Sequence, residues 1–151
     1  MSMFSNLEDS FETINASGRS SSNDLVSISH VKGSKKEEVI FRINREAMNK
    51  AELNYKDKVQ IQFADNNSVC RILKTDKGGS VTLSQQISNN DLSAGIIRLI
   101  YKPSIPNFIE MENKNGLQTE PLTRIKYIHE NEMIEYGNSQ ITFKLKVDTY
   151  E

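Results

Sequence analysis

The side chains that could do chemistry are few and scattered. His129-Glu130-Asn131-Glu132 begins like the helix of a zinc protease, in which two histidines four residues apart hold the metal and the glutamate activates water. Met133 occupies the position that the second histidine would need, so that site cannot be built. The other histidine is His30 and the single cysteine is Cys70, and a zinc site would have to gather all three from distant segments. Cys70 falls in a strand pattern with no neighbouring base, which suits a small buried side chain better than a nucleophile. Gly78-Gly79 reads as a chain reversal with no helix after it, so it lacks the geometry that cradles phosphate. The carboxylate pairs Glu110 with Glu112 and Glu130 with Glu132 lie in stretches that read as a connection and a turn, where solvent screens them. Catalysis needs convergent acid, base or metal groups. The expectation is a protein that is not an enzyme, with no cofactor, no metal and no small-molecule substrate.

Cations are the remaining candidates. The 151 residues carry 19 Lys+Arg against 20 Asp+Glu, a net charge of −1, which excludes a globally basic nucleic-acid binder. Divided along the chain, residues 1–34 hold 2 basic and 4 acidic side chains, residues 35–77 hold 10 and 7, and residues 78–151 hold 7 and 9, giving −2, +3 and −2. The excess is modest, and phosphate contacts need clustered cations. Arg42, Arg45, Lys50, Lys56 and Lys58 are the candidate nucleic-acid contacts, with Tyr55 the aromatic placed beside them. The competing reading makes them solvated partners of Glu38, Glu46, Glu52 and Asp57, since mixed signs are the ordinary surface pattern.

The chain changes character along its length. Residues 1–34 are rich in serine, and residues 15–24 contain almost nothing to bury, as a linker would. Ahead of that stretch, Phe4, Leu7, Phe11 and Ile14 recur at helical spacing, so residues 3–14 read as a short amphipathic helix that gains order by docking. It would dock on a partner's groove or cap the protein's own barrel. From Glu38 the period becomes that of strands. Val39, Phe41 and Ile43 alternate with polar neighbours, residues 45–53 carry helix formers, and Val59, Ile61 and Phe63 form a half-buried strand. Asp65-Asn66-Asn67 turns the chain into a returning strand, 69–73. Residues 81–83 and 95–102 read as further strands, ended by Pro103 and Pro106, and 103–120 as a long connection with an apolar patch at Ile105, Phe108, Ile109 and Met111. The last third reads as strands 125–128, 133–136 and 141–147, separated by turns at 129–132 and 137–139. Many short strands with one or two short helices point to a mainly β, β-rich α+β fold: a compact barrel over residues 35–151, with residues 1–34 as an extension.

The order strand, short helix, turn, strand, turn, strand over residues 38–74 resembles the swapped-hairpin barrel of the AbrB and SpoVT transition-state regulators. Residues 39–46 and 53–61 carry the likeness. Asn44 stands where that family usually has proline, and Lys56 where it usually has glycine. The resemblance covers about a quarter of the chain and implies intertwined hairpins and duplex DNA binding through the arginines near the first strand and helix, as in a transcription regulator. A looser resemblance is to small phage and mobile-element proteins. Two functions follow as expectations: a small DNA-binding or regulatory barrel, or an interaction or structural protein that docks a partner through Phe4, Leu7, Phe11 and Ile14. Homo-oligomerisation stays open, because the resembled family interlaces two chains, whereas residues 81–102 could supply a second half within one chain. With no apolar run long enough to span a bilayer, no signal-peptide pattern and one cysteine, a cytoplasmic protein that does not enter membranes is expected.

Overall fold

The computed structural model describes residues 24–77, 80–115 and 122–150. Among them, nine strands form one antiparallel sheet rolled into a nearly closed barrel. The strands are β1 (Val26–Lys32), β2 (Glu37–Ile43), β3 (Lys58–Ala64), β4 (Val69–Lys74), β5 (Val81–Thr82), β6 (Ser84–Gln85), β7 (Gly95–Ile100), β8 (Arg124–Gly137) and β9 (Gln140–Tyr150). Two helices accompany them, α1 (Arg45–Ala51) after β2 and α2 (Phe108–Asn115) after β7. The sheet order is β5-β3-β4-β9-β8-β1-β2-β7-β6.

The two end strands of that order are neighbours in the chain. β5 pairs with β3, β6 pairs with β7, and only Leu83 separates them. The backbone at Leu83 is tied down on the β3 side, its N–H donating to the Asp57 carbonyl and its own carbonyl accepting from the Lys56 N–H. Its side chain is fully buried. A five-residue segment therefore bridges the two edges of the rolled sheet over part of their length.

Inside, Val26, Ile28, Val39, Phe41, Ile43, Val59, Ile72, Ile125, Ile141 and Phe143 form the core at alternate strand positions. α1 covers the end of the barrel where β2 finishes, burying Ala47, Met48 and Ala51. It begins at Asn44, whose side chain accepts from the Ala47 N–H at 2.8 Å and satisfies one of the orphan donors of a helix start. α2 covers the other end: Phe108 is fully buried, with its ring 5.6 Å from that of Phe63 and 5.3 Å from that of Tyr127.

Three expectations need correction. The domain does not begin at residue 35, because β1 lies between β2 and β8 with Val26, Ile28 and His30 fully buried. The alternating serines of that strand disguised an ordinary inward and outward alternation. Residues 103–120 are not one irregular connection, since Phe108, Ile109 and Met111 of their apolar patch belong to α2, with Phe108 and Ile109 buried. Residues 129–132 are not a turn. β8 runs through them with an irregularity in which residues 130–133 sit opposite Lys144 alone, between the pairs His129 with Leu145 and Ile134 with Phe143. Residues 3–14, with Phe4, Leu7, Phe11 and Ile14, lie outside the described residues.

Candidate interaction surface

The five candidate cations sit on β2 (Arg42), α1 (Arg45, Lys50), the turn after it (Lys56) and the start of β3 (Lys58). Arg42 projects from the outer face of β2, where its Nε donates to Gln86 Oε1 at 3.1 Å. It is half-buried, and its Nη1 is withdrawn from solvent with no hydrogen-bond partner among the described residues. Burial lowers the guanidinium below its ordinary pKa, while the nearby Asp24 carboxylate acts in the opposite sense. Arg45, the first residue of α1, lies over the Tyr55 ring with its guanidinium carbon 5.0 Å from the centroid. Lys50 is exposed in the last turn of α1, paired with Glu46 at 3.3 Å and set 5.6 Å over the Tyr136 ring. Lys58 is exposed at the start of β3 and donates to Thr82 Oγ1 at 3.0 Å. Lys56 is exposed on the turn before β3 in left-handed backbone, φ 74. That is the backbone region in which glycine is favoured.

Tyr55 connects two of these features to a surface that periodicity alone did not flag. Beneath Arg45, its hydroxyl donates toward the carbonyls of Ser93 at 2.5 Å and Asp91 at 3.1 Å. Those residues belong to loop 86–93, which joins β6 to β7 and is stiffened internally. The Ser93 hydroxyl donates to the Asn90 carbonyl at 2.9 Å, Asn90 Oδ1 accepts from the Leu92 N–H at 2.9 Å, and the Gln86 N–H donates to the Ala94 carbonyl at 2.9 Å. On this braced loop Leu92 is 83% exposed and Ile87 is 56% exposed. Arg42, through Gln86, and Arg45, through Tyr55, thus flank two apolar side chains held away from the core. In the sequence Ser88, Asn89, Asn90 and Asp91 give this loop the composition of plain turn material, with no periodic signal for its exposed apolar pair.

The residues with catalytic potential are placed apart. Cys70 is fully buried in β4, and burial pushes its thiol well above its ordinary pKa, away from nucleophilic chemistry. His30, expected in a polar tail, is fully buried at the α2 end of the barrel. Its Nδ1 accepts from the Ile109 N–H at 3.3 Å, and its Nε2–H donates to Glu37 Oε2 at 2.8 Å. Tyr101 stacks on the ring at 5.2 Å. With both nitrogens used to anchor the first turn of α2 and to meet Glu37, this histidine works as a structural clamp. His129 is half-buried in β8, far along the chain from any second histidine. Among the described residues, no three His, Cys, Asp or Glu side chains come together as a metal site, and no helix is long and apolar enough to cross a membrane. Protein-family models, curated proteins and solved structures were compared with the chain, and none matches.

Proposed function

We propose that this chain is a non-enzymatic interaction protein that engages a protein partner through loop 86–93 and the adjoining Arg45–Tyr55 pair. The observation that carries the reading is the pair Ile87 and Leu92, exposed on a loop whose backbone is braced by Ser93, Asn90 and Tyr55. Scattered exposed apolar residues need no explanation. Here, however, the loop is pre-organised, which lowers the ordering cost of binding, and it adjoins a tyrosine and two arginines, residue types enriched at interface centres. The partner surface would be apolar with acidic groups at its margin, facing Arg42 and Arg45. The test is a purified full chain carrying Leu92→Asp. Because the side chain is exposed, its folding stability should stay within about 0.5 kcal/mol of the parent. Crosslinking in its native cell should lose a specific, stoichiometric partner that the parent retains. Identical crosslinking profiles for parent and variant would refute the reading.

A second reading, weak duplex DNA binding, draws support from exposed Lys56 on the turn that follows Tyr55 and exposed Lys58 at the start of β3. Its signature is an anisotropy signal that weakens with salt and falls in the Arg42→Ala, Arg45→Ala double variant, while Leu92→Asp leaves it unchanged. No binding at low or at moderate salt would eliminate it.

A further inference from the structure

The bridge at β5 and β6 is short, and the barrel is open beside it. β3 pairs with β5 only at Lys58 and Val59, and β7 pairs with β6 only at Gly95 and Ile96. Beyond those residues no strand lies between Gln60–Ala64 of β3 and Ile97–Ile100 of β7 among the described residues. Side chains that a fully closed barrel would bury, Ile61, Phe63 and Leu99, are therefore only half-buried. With Phe41 and Ile105 they line a cleft of about 250 Å³ that enters the barrel wall at this seam. The segment after β7 crosses the mouth, contributing Lys102, Ser104, Ile105 and Pro106.

Of the lining side chains only Lys102 and Ser104 are polar, and none is a carboxylate. Lys102 is exposed and has no ion-pair partner among the described residues. We propose that this cleft binds a fatty acid of medium chain length, its alkyl chain lying against Phe41, Ile61, Phe63 and Leu99 and its carboxylate meeting Lys102 at the rim. Three observations argue for that chemistry. Charge complementarity selects an anion over a cation or a neutral lipid. The apolar wall selects a hydrocarbon body, in the manner of other sites at the mouths of β-barrels. Size bounds the length: a cleft of about 250 Å³ has room for an alkyl chain of medium length and not for a long one.

The test is isothermal titration calorimetry of the full-length chain with decanoate, octanoate and decyltrimethylammonium. Decanoate should bind saturably at one site. Removing two methylenes in octanoate should weaken binding roughly tenfold, by the transfer value of a buried methylene. Lys102→Glu lies on the exposed rim and leaves the core intact, and it should weaken decanoate by about tenfold or more through loss of a charge-assisted contact. The cationic analogue should give no saturable heat with the parent protein. The proposal is overturned if decanoate shows no saturable binding up to about 1 mM, the weak limit of useful affinity. It is equally overturned if decanoate and decyltrimethylammonium bind alike, or if Lys102→Glu leaves decanoate affinity unchanged. Because Leu92 lies outside this cleft, Leu92→Asp should bind decanoate normally, so failure here and failure of the partner-docking reading are distinguishable.

Discussion

The closure of the barrel rests on a three-body contact that mutagenesis can measure. Leu83 is fully buried between the two short strands that bridge the sheet edges. A Cβ built on Gly95 at the start of β7 would lie 2.9 Å from Leu83 Cδ1 and 2.8 Å from Met48 Sδ. The glycine is therefore required by close approach: β7 must pass directly over the side chains that α1 and the bridge insert. Leu83→Ala removes that packing and leaves a cavity, at a cost of about 3 kcal/mol. Gly95→Ala overpacks the same point, at a cost of about 2 kcal/mol. At roughly 2–4 °C per kcal/mol for a chain of this size, the two single variants should melt several degrees lower than the parent. The informative quantity is their coupling. In the double variant the alanine methyl at position 95 occupies space vacated by Leu83, and the remaining contact is with the flexible end of Met48. The pair should therefore be less destabilised than the sum of the singles by about 1 kcal/mol. Urea unfolding followed by far-ultraviolet circular dichroism measures all four corners of the cycle. Additivity within roughly 0.3 kcal/mol would show that Leu83 and Gly95 do not share the contact, and the account of closure would fail.

Two further outcomes follow from backbone and burial. Lys56→Gly should stabilise the protein by about 0.5 kcal/mol, because relief of a left-handed residue, roughly 1–2 kcal/mol, is partly offset by glycine's larger unfolded entropy, roughly 0.5–1 kcal/mol; a lower denaturation midpoint would contradict the φ of 74. Burial holds the Cys70 thiol protonated in the folded protein above its ordinary pKa of 9.0. Its contribution is thus fully present below that value and declines as pH rises and the unfolded thiol ionises. One unit above it, the loss should be about 1.4 kcal/mol relative to neutral pH, and Cys70→Ala should lack this component; equal alkaline losses in parent and variant would disprove it.

Much of the architecture is legible in local pattern because a strand with one buried face writes its period directly into the chain. β2, β3, β4 and β9 are visible that way, as is α1, whose Ala47, Met48 and Ala51 face inward. The Asp65-Asn66-Asn67 turn is also legible, because all three residues adopt positive φ that Asn and Asp tolerate. β1 is the instructive failure. Val26, Ile28 and His30 have the right spacing, yet serines between them and a histidine at the third position imitate a linker. His30 is acceptable in the core only because Glu37, seven residues on, and the Ile109 N–H, contributed by α2, satisfy both its nitrogens.

Chain chemistry alone determined that the protein is mainly β. It also determined that positive charge concentrates in residues 35–77. Tertiary structure decided which of those charges are free to act. Arg42 is half-withdrawn beside Gln86, Arg45 is stacked on Tyr55, Lys50 is paired with Glu46, and Lys58 is bonded to Thr82. It also decided that Leu92 and Ile87 stand exposed while Leu83, a few residues away, is buried. The physical reason is that exposure and pairing depend on which strands become neighbours when the sheet rolls. A five-residue bridge between β3 and β7, far apart in the chain, sets that arrangement through long-range contacts that leave no periodic trace in the sequence.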